Sequence, residues 1–266
     1  VSAAIHPSSI VDPAARLGED VRIGAFCVVG PEVSLGDGVV LESHVAVAGD
    51  TSIGARTRVW PFASLGHQPQ DLKFRGERTR LEIGADCMIR EGVTMNPGTE
   101  GGGGLTRVGD RGLFMVGVHV GHDCLVGNDV IMANNATLGG HVEVGDFAVL
   151  GGICAVHQKV RIGAGAMVGG MTGVEKDVIP FGSVVGDRAR LAGLNLVGLK
   201  RRQVTRDEIN AIRAAYRAIF FGAGTLAERA AQAMESFAHS PGALEIAGFI
   251  AGHSARSFCT PDSDQE

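Results

Sequence analysis

Residues 118–150 read VHVGHDCLVGNDVIMANNATLGGHVEVGDFAVL, and their spacing decides the fold. Every sixth residue is a large apolar one: Val120, Val126, Met132, Leu138, Val144 and Leu150. A second row lies two positions earlier, at Val118, Cys124, Val130, Ala136, Val142 and Ala148, and is small or β-branched. A helix repeats its apolar residues about every 3.6 positions and a half-buried strand every second one, so neither explains six. Each unit therefore reads as a short strand plus a turn, with two residues directed inward. Three units close a triangular coil, and coils stacked about 4.8 Å apart pair each strand with those above and below.

The same period runs outward in both directions. It begins at Ile5 and continues through Val11, Leu17, Ile23, Val29, Leu35, Leu41, Val47, Ile53 and Val59 to Leu65. It resumes at Ile83, Ile89 and Met95, then restarts one residue out of step at Val108 and persists to Val174. One such unit cannot bury its apolar face alone, whereas a stacked column can. The expectation is an all-β parallel β-helix over 1–190, broken by excursions at 66–82 and 97–107.

In the first excursion Asp71 and Glu77 occupy positions where the phase calls for aliphatics. Long polar loops on a rigid solenoid tend to carry function, although a tolerated insertion has the same composition. The second contains Gly101-Gly102-Gly103-Gly104. No Gly-Lys-Ser/Thr follows and no helix starts there, which favours close backbone or subunit contact over a phosphate cradle.

Residues 191–253 change to a helical pattern. Thr205-Arg206-Asp207-Glu208 fits a capping box, followed by a stripe of Ile209, Ile212, Tyr216, Ile219 and Phe220. Thr225-Leu226-Ala227-Glu228 marks a second helix start, and a short third helix is expected over 242–251. The segment 254–266, with Pro261 and its acidic residues, is expected to be a poorly ordered tail.

Composition narrows the function classes. A formal charge of −5 argues against a general nucleic-acid binder. Five cysteines without a CxxC pair indicate a reduced, cytoplasmic protein rather than a disulfide framework. The absence of a signal pattern or a long apolar run predicts a soluble chain without stable membrane insertion.

The chemistry-bearing residues concentrate in the same stretch. In an 18-residue coil His122, His141 and His157 stack near one edge on consecutive coils, with His119 beside them. A lone histidine in a solenoid is usually surface decoration, but four converging within three coils point to a site. Two chemistries fit. His122 can act as a general base whose tautomer is set by Asp123 or a backbone carbonyl. Three histidines can instead hold a zinc ion that generates hydroxide. Cys27, Cys124 and Cys154 fill inward slots and need no chemical role.

The repeat resembles that of the hexapeptide-repeat acyltransferases, and the resemblance implies a left-handed β-helix, against the usual right-handed crossover. The strings QDLKF at 70–74, HVGHDC at 119–124, NNATLGGHV at 134–142, AVHQ at 155–158 and GLKRR at 198–202 are more specific. They resemble the acyl-ACP–UDP-N-acetylglucosamine O-acyltransferases that begin lipid A synthesis, across nearly the whole chain.

That resemblance implies direct transfer of a 3-hydroxyacyl group from acyl carrier protein to the sugar 3-hydroxyl. The donor is carried on the carrier's phosphopantetheine, with no cofactor or metal in the enzyme. His122 would be the base, Asp123 its support, and the Gly140 N–H the oxyanion donor. Gln70, Asp71, Lys73, His119 and His141 would bind the sugar or acyl chain. His157, Gln158, Asn195 and Arg201 would face the nucleotide sugar. Gly170 would set acyl length and, as glycine, admit a long chain near hydroxymyristoyl. Lys200, Arg202 and Arg206 would dock the acidic carrier protein. The active unit would be a homotrimer with sites between subunits.

Three positions depart from the family pattern. Val197 stands where a glutamate is common, Asn96-Pro97 replaces a His-Arg pair, and Gly121 replaces an alanine. They bear on nucleotide affinity and on amino-sugar preference rather than on reaction class. The N-acyltransferase of the same pathway is a close rival, disfavoured because the repeat starts at Ile5 and leaves no room for its extra N-terminal domain. A zinc hydrase and a non-catalytic scaffold are the rivals from other classes.

Overall fold

The computed structural model describes residues 3–262. Each hexad is a two-residue strand and a corner, and the described strands gather into three sheets of 11, 9 and 8. These form the first, second and third faces of a prism, beginning at Ala4–Ile5, Ile10–Val11 and Arg16–Leu17. Pairing is parallel throughout except for a closing hairpin of Gly182–Val185 with Arg190–Leu194. The register follows the hexads: His119 pairs with Thr137, and Thr137 with Ala155. The expected β-helix followed by helices is what the chain forms.

Both inward rows are buried in one continuous core from Val21 to Leu191. Where the small row carries threonine, the hydroxyl is satisfied internally, as Thr57 Oγ1 donates to the Gly84 carbonyl at 2.9 Å. Apart from Gly66 at the start of the first excursion, the glycines that directly follow the aliphatic row, such as Gly18, Gly24 and Gly36, are not the residues with left-handed backbone. A Cβ on Gly36 would lie 2.8 Å from the Ala55 nitrogen of the next coil, so this glycine permits close stacking. The left-handed residue comes two positions later and is usually not glycine; Asp20, Phe26, Asp123 and His141 all have φ near +60°.

The excursions are 66–79 and 96–104, with both C-terminal boundaries earlier than the sequence suggests. The reason is pairing: Arg80–Ile83 aligns with Asp50–Ile53 on one side and Leu105–Val108 on the other, in four-residue strands. Both excursions leave the second face, after Leu65 and Met95, and return on the third. They are therefore enlarged versions of one corner.

The helices are α1 (Leu196–Arg201), α2 (Arg206–Phe221), α3 (Leu226–Ser236) and α4 (Pro241–Ala251). Ile209, Ile212 and Ile219 of α2 are buried with Ala230 and Ala233 of α3 and Ile246 and Ile250 of α4. The full capping box lies at Thr225–Glu228. Thr205 does cap α2, but Glu208 turns away and accepts from Ser240 Oγ and Gly242 N, fixing the start of α4.

Residues 254–262 correct the expectation of a poorly ordered tail; 263–266 lie outside the described residues. The segment is a strap on the last coil. Asp177 N donates to the Ser257 carbonyl and Cys259 N to the Asp177 carbonyl, both at 2.8 Å, and Cys259 is buried. Asp177 supplies the anchor: its buried carboxylate accepts from Arg161 N, Arg161 Nε and Ser254 Oγ. The Arg161 guanidinium lies 4.3 Å from the centre of the Phe249 ring of α4. Polar composition marked this segment as unstructured; its anchoring partner lies in another part of the chain.

Candidate active site

Residues 121–124, 139–142 and 157–160 are successive copies of the corner that the excursions enlarge one and two coils earlier. His141 N donates to the His122 carbonyl at 2.9 Å, which stacks one copy on the next. The His122 and His141 rings sit edge to face, 5.0 Å apart. Because the left-handed positions are Asp123 and His141, the two histidines are offset by one residue within their corners and meet around a single carboxylate.

That carboxylate is Asp123, whose side chain is 1% exposed. Its Oδ1 accepts from Thr99 N and its Oδ2 from Thr99 Oγ1, each at 2.7 Å. Its own N–H donates to Thr106 Oγ1 at 2.7 Å. Thr99 belongs to the second excursion, and the glycine run lies directly over the carboxylate. A Cβ on Gly102 would fall 2.0–2.3 Å from the Asp123 carboxyl atoms. The run serves close backbone contact.

His122 Nδ1 is 2.7 Å from Asp123 Oδ2. An ionised carboxylate only accepts, so Nδ1 carries the proton and Nε2 presents its lone pair. The ring lies against Gly140: a Cβ there would sit 2.6 Å from Nε2. Among the described residues nothing accepts from the Gly140 N–H, whereas its carbonyl takes Lys159 N. A basic nitrogen and an unused N–H donor thus lie side by side.

His119 is on the outer side of the second face, with Nδ1 2.7 Å from Thr94 Oγ1. Burial, and then the neighbouring His122, lower its pKa. Burial also lowers that of His141, against the opposing pull of Asp123 at 3.7 Å; Asp71 is another charge within its reach. Cys124 is fully buried, its thiol pushed up to about 12 chiefly by desolvation, and it cannot serve as a nucleophile near neutral pH.

In the first excursion Gln70 and Lys73 are exposed, while half-buried Asp71 accepts from the Lys73 N–H. Asn96, buried at the root of the second excursion, donates to the His67 and Gln68 carbonyls and ties the two loops together. At Gly121 a Cβ would lie 2.8 Å from the Leu138 carbonyl oxygen, a tight fit for the alanine common in the family.

Other sequence-derived positions lie elsewhere. His157 and Gln158 are exposed one corner beyond His141 and contact Arg256 of the strap. Asn195 caps α1, accepting from Gly198 N and donating to the Gly165 carbonyl. Arg201, Lys200 and Arg206 are exposed, as is Val197. Arg202 departs from this basic group: its guanidinium is stacked about 5 Å from both the Phe147 and Phe181 rings. Gly170 is exposed on a different corner, between the first and second faces, beside exposed Ile153 and Met171.

Thr99, Thr106 and Arg256 were not legible as site residues. Thr99 and Arg256 lie outside the repeat, and Thr106 occupies an inward slot.

His122, Asp123 and His141 place donor atoms within 4.8 Å of one another, close enough to consider a metal. Both Asp123 oxygens are already engaged by hydrogen bonds at 2.7 Å, and His119 is bonded to Thr94 rather than turned to this cluster. A three-histidine zinc centre does not match this arrangement.

A model described as UDP-N-acetylglucosamine O-acyltransferase, domain 2, matches residues 177–259, and one for bacterial transferase hexapeptides matches residues 14–49. An acyl-acyl-carrier-protein–UDP-N-acetylglucosamine O-acyltransferase of Paracoccus denitrificans is 60% identical over 203 residues, covering 76% of this chain and 77% of that one. The enzyme of the same name from Rhizobium johnstonii is 49% identical over 265 residues, 100% of this chain and 97% of its own. A solved UDP-N-acetylglucosamine acyltransferase superposes with a TM-score of 0.94 at 43% identity, over 97% of this chain and 99% of the other. With identity of this order along its full length, β-helix and helices alike, the chain belongs to the acyl-ACP–UDP-N-acetylglucosamine O-acyltransferase family.

Proposed function

We propose that the chain transfers a 3-hydroxyacyl group from acyl carrier protein to the 3-hydroxyl of UDP-N-acetylglucosamine, opening lipid A synthesis, with His122 as general base. The observation that carries the mechanism is the 2.7 Å contact between His122 Nδ1 and Asp123 Oδ2, beside the unused Gly140 N–H. His122 Nε2 takes the proton of the sugar hydroxyl as its oxygen attacks the thioester carbonyl. The Gly140 N–H binds the oxyanion of the tetrahedral intermediate. Collapse breaks the C–S bond, leaves the ester on the sugar, and returns the proton from His122 to the departing phosphopantetheine thiolate. Asp123 stabilises the transient imidazolium and keeps the productive tautomer. No cofactor is needed.

The acceptor sits at the corner framed by the excursions. Asp71 and His141 contact the glucosamine hydroxyls, and Gln70, Lys73 and His119 position sugar and acyl chain. His157, Gln158, Asn195 and Arg201 face the nucleotide, although Asn195 already spends much of its amide as a cap. Lys200 and Arg206 are the exposed cations that attract the acidic carrier. The homotrimer has a geometric motive. One prism face of six residues, about 20 Å at strand rise, and three coils, about 14 Å along the axis, separate the Gly170 corner from the His122 corner of a single copy. A neighbouring copy can bring its own Gly170 corner to the acyl chain, which its small side chain leaves room to extend to about hydroxymyristoyl length.

The decisive experiment incubates long-chain 3-hydroxyacyl-ACP with UDP-N-acetylglucosamine, with and without chelator, using His122→Ala as control. Wild-type transfer that survives chelation and falls about a hundredfold or more in the variant is expected. Undiminished transfer by His122→Ala removes His122 as base; loss on chelation restores the zinc reading.

A further inference from the structure

The strap meets the corner that carries the site near its own start, at Arg256. Arg256 Nη2 lies 2.7 Å from His157 Nδ1 and 3.0 Å from the Gln158 carbonyl oxygen, and Arg256 Nε lies 3.2 Å from that same oxygen. His157 Nδ1 is also 3.2 Å from the Gln158 oxygen, a contact that would require a proton on Nδ1. The shorter contact decides between them, because a guanidinium has no acceptor and can only donate. Nδ1 therefore accepts, and the imidazole carries its N–H on Nε2.

The strap holds Arg256 firmly. Arg256 N donates to Ser254 Oγ at 2.9 Å, and Ser254 Oγ donates to the buried Asp177 carboxylate at 2.6 Å. Backbone pairing between Asp177 and the 257–259 segment fixes the other side. Among the described residues no carboxylate comes within salt-bridge distance of Arg256. The excursions bound this corner on one side and the strap bounds it on the other.

We infer that Arg256 is a positioning residue for the acceptor nucleotide: it locks His157 as the Nε2–H tautomer, a hydrogen-bond donor facing the ligand, and pins the Gln158 main chain beside it. This rests on the reading that His157 and Gln158 face UDP-N-acetylglucosamine. A donor and a guanidinium that has no carboxylate partner among the described residues suit, at one corner, the anionic diphosphate of such a ligand. The strap is then the wall of the acceptor site rather than a loose end.

The test combines calorimetric binding of UDP-N-acetylglucosamine, steady-state kinetics, thermal unfolding and side-chain 15N spectra of His157. Arg256→Met should weaken nucleotide binding and raise KM for the sugar nucleotide about tenfold, the size of one lost charge-assisted hydrogen bond. It should leave kcat and the KM for acyl-ACP within about twofold. Arg256→Lys, which keeps a donor able to reach Nδ1, should recover part of the affinity. The wild-type spectrum should show an unprotonated Nδ1 that changes in Arg256→Met. Unchanged nucleotide affinity, or a protonated Nδ1 in the wild type, would overturn the inference. So would no recovery in Arg256→Lys with an equal fall in melting temperature. The tautomer and Arg256→Lys measurements remain decisive if Arg256→Met fails to fold. A wild type that binds the nucleotide yet transfers no acyl group would sink the transferase reading and leave the Arg256 binding result standing.

Discussion

Oδ2 of Asp123 lies 2.7 Å from His122 Nδ1 and 3.7 Å from His141 Nδ1, so one buried carboxylate addresses two histidines from adjacent coils. The shorter distance makes His122 the imidazole that Asp123 orients, and Thr99 holds the carboxylate through both of its oxygens. Orientation of this imidazole comes from a loop outside the repeat.

Replacing Asp123 by asparagine tests that orientation. An amide NH2 facing Nδ1 would favour the tautomer with its proton on Nε2, removing the lone pair that accepts from the sugar. In Asp123→Asn kcat should fall about a hundred- to ten-thousandfold, with a smaller effect on the KM for the sugar nucleotide. Steady-state kinetics decide it, and a kcat within a factor of three of wild type would exclude tautomer control by Asp123.

The glycine run gives a sharper structural contrast. A Cβ on Gly102 would collide with the Asp123 carboxylate, whereas one on Gly101 meets nothing within 4 Å. Gly102→Ala should therefore lower both activity and melting temperature, and Gly101→Ala neither. Equal effects from the two alanines in a paired melting and turnover assay would contradict the loop-over-carboxylate arrangement.

These two cases show what a sequence can and cannot reveal here. The prism was legible because Val120, Leu138 and Val156 are the same apolar slot repeated, and stacking leaves its period in the chain. His122, Asp123 and His141 were legible because they fall at one corner of consecutive coils while the apolar slots on either side keep their period. Thr99 and Arg256 were not, because an excursion and a terminal strap follow no period and their partners are distant in sequence. The tail reads as unstructured for the same reason: its anchor, Asp177, lies 77 residues before Ser254. Arg202 looked like one of a run of surface cations, and only the positions of Phe147 and Phe181 show that it is packed between rings.

Stability should depend on the two histidines whose pKa burial lowers. His119 and His141 have folded values below the reference of 6.5, so below that pH the unfolded chain binds more protons than the folded one. Their contribution is complete above pH 6.5 and is lost as the pH falls through the window down to the folded values. The wild-type melting temperature should decline from pH 7.5 toward pH 5.5, and the His119→Gln/His141→Gln double variant should decline less. Parallel declines in the two proteins would assign acid sensitivity to other groups.

Gly170 tests both the acyl groove and the trimer. It is exposed beside Ile153 and Met171, and the nearest atom to an added Cβ is the Gly152 carbonyl oxygen at 3.3 Å. On the proposed reading, a longer side chain at this exposed corner enters the path of the acyl chain. Gly170→Met should therefore shift donor preference from hydroxymyristoyl toward about ten carbons, since each methylene denied burial forfeits about 0.8 kcal/mol. A series of 3-hydroxyacyl-ACP donors gives the profile, and sedimentation gives the oligomeric state of the same sample. A wild-type optimum at the shorter length, or no shift in a variant that still assembles, would remove Gly170 from the groove. Monomeric protein with full activity would show that one prism holds the whole chain, with the tail of the acyl group crossing the second face from His122 to Gly170.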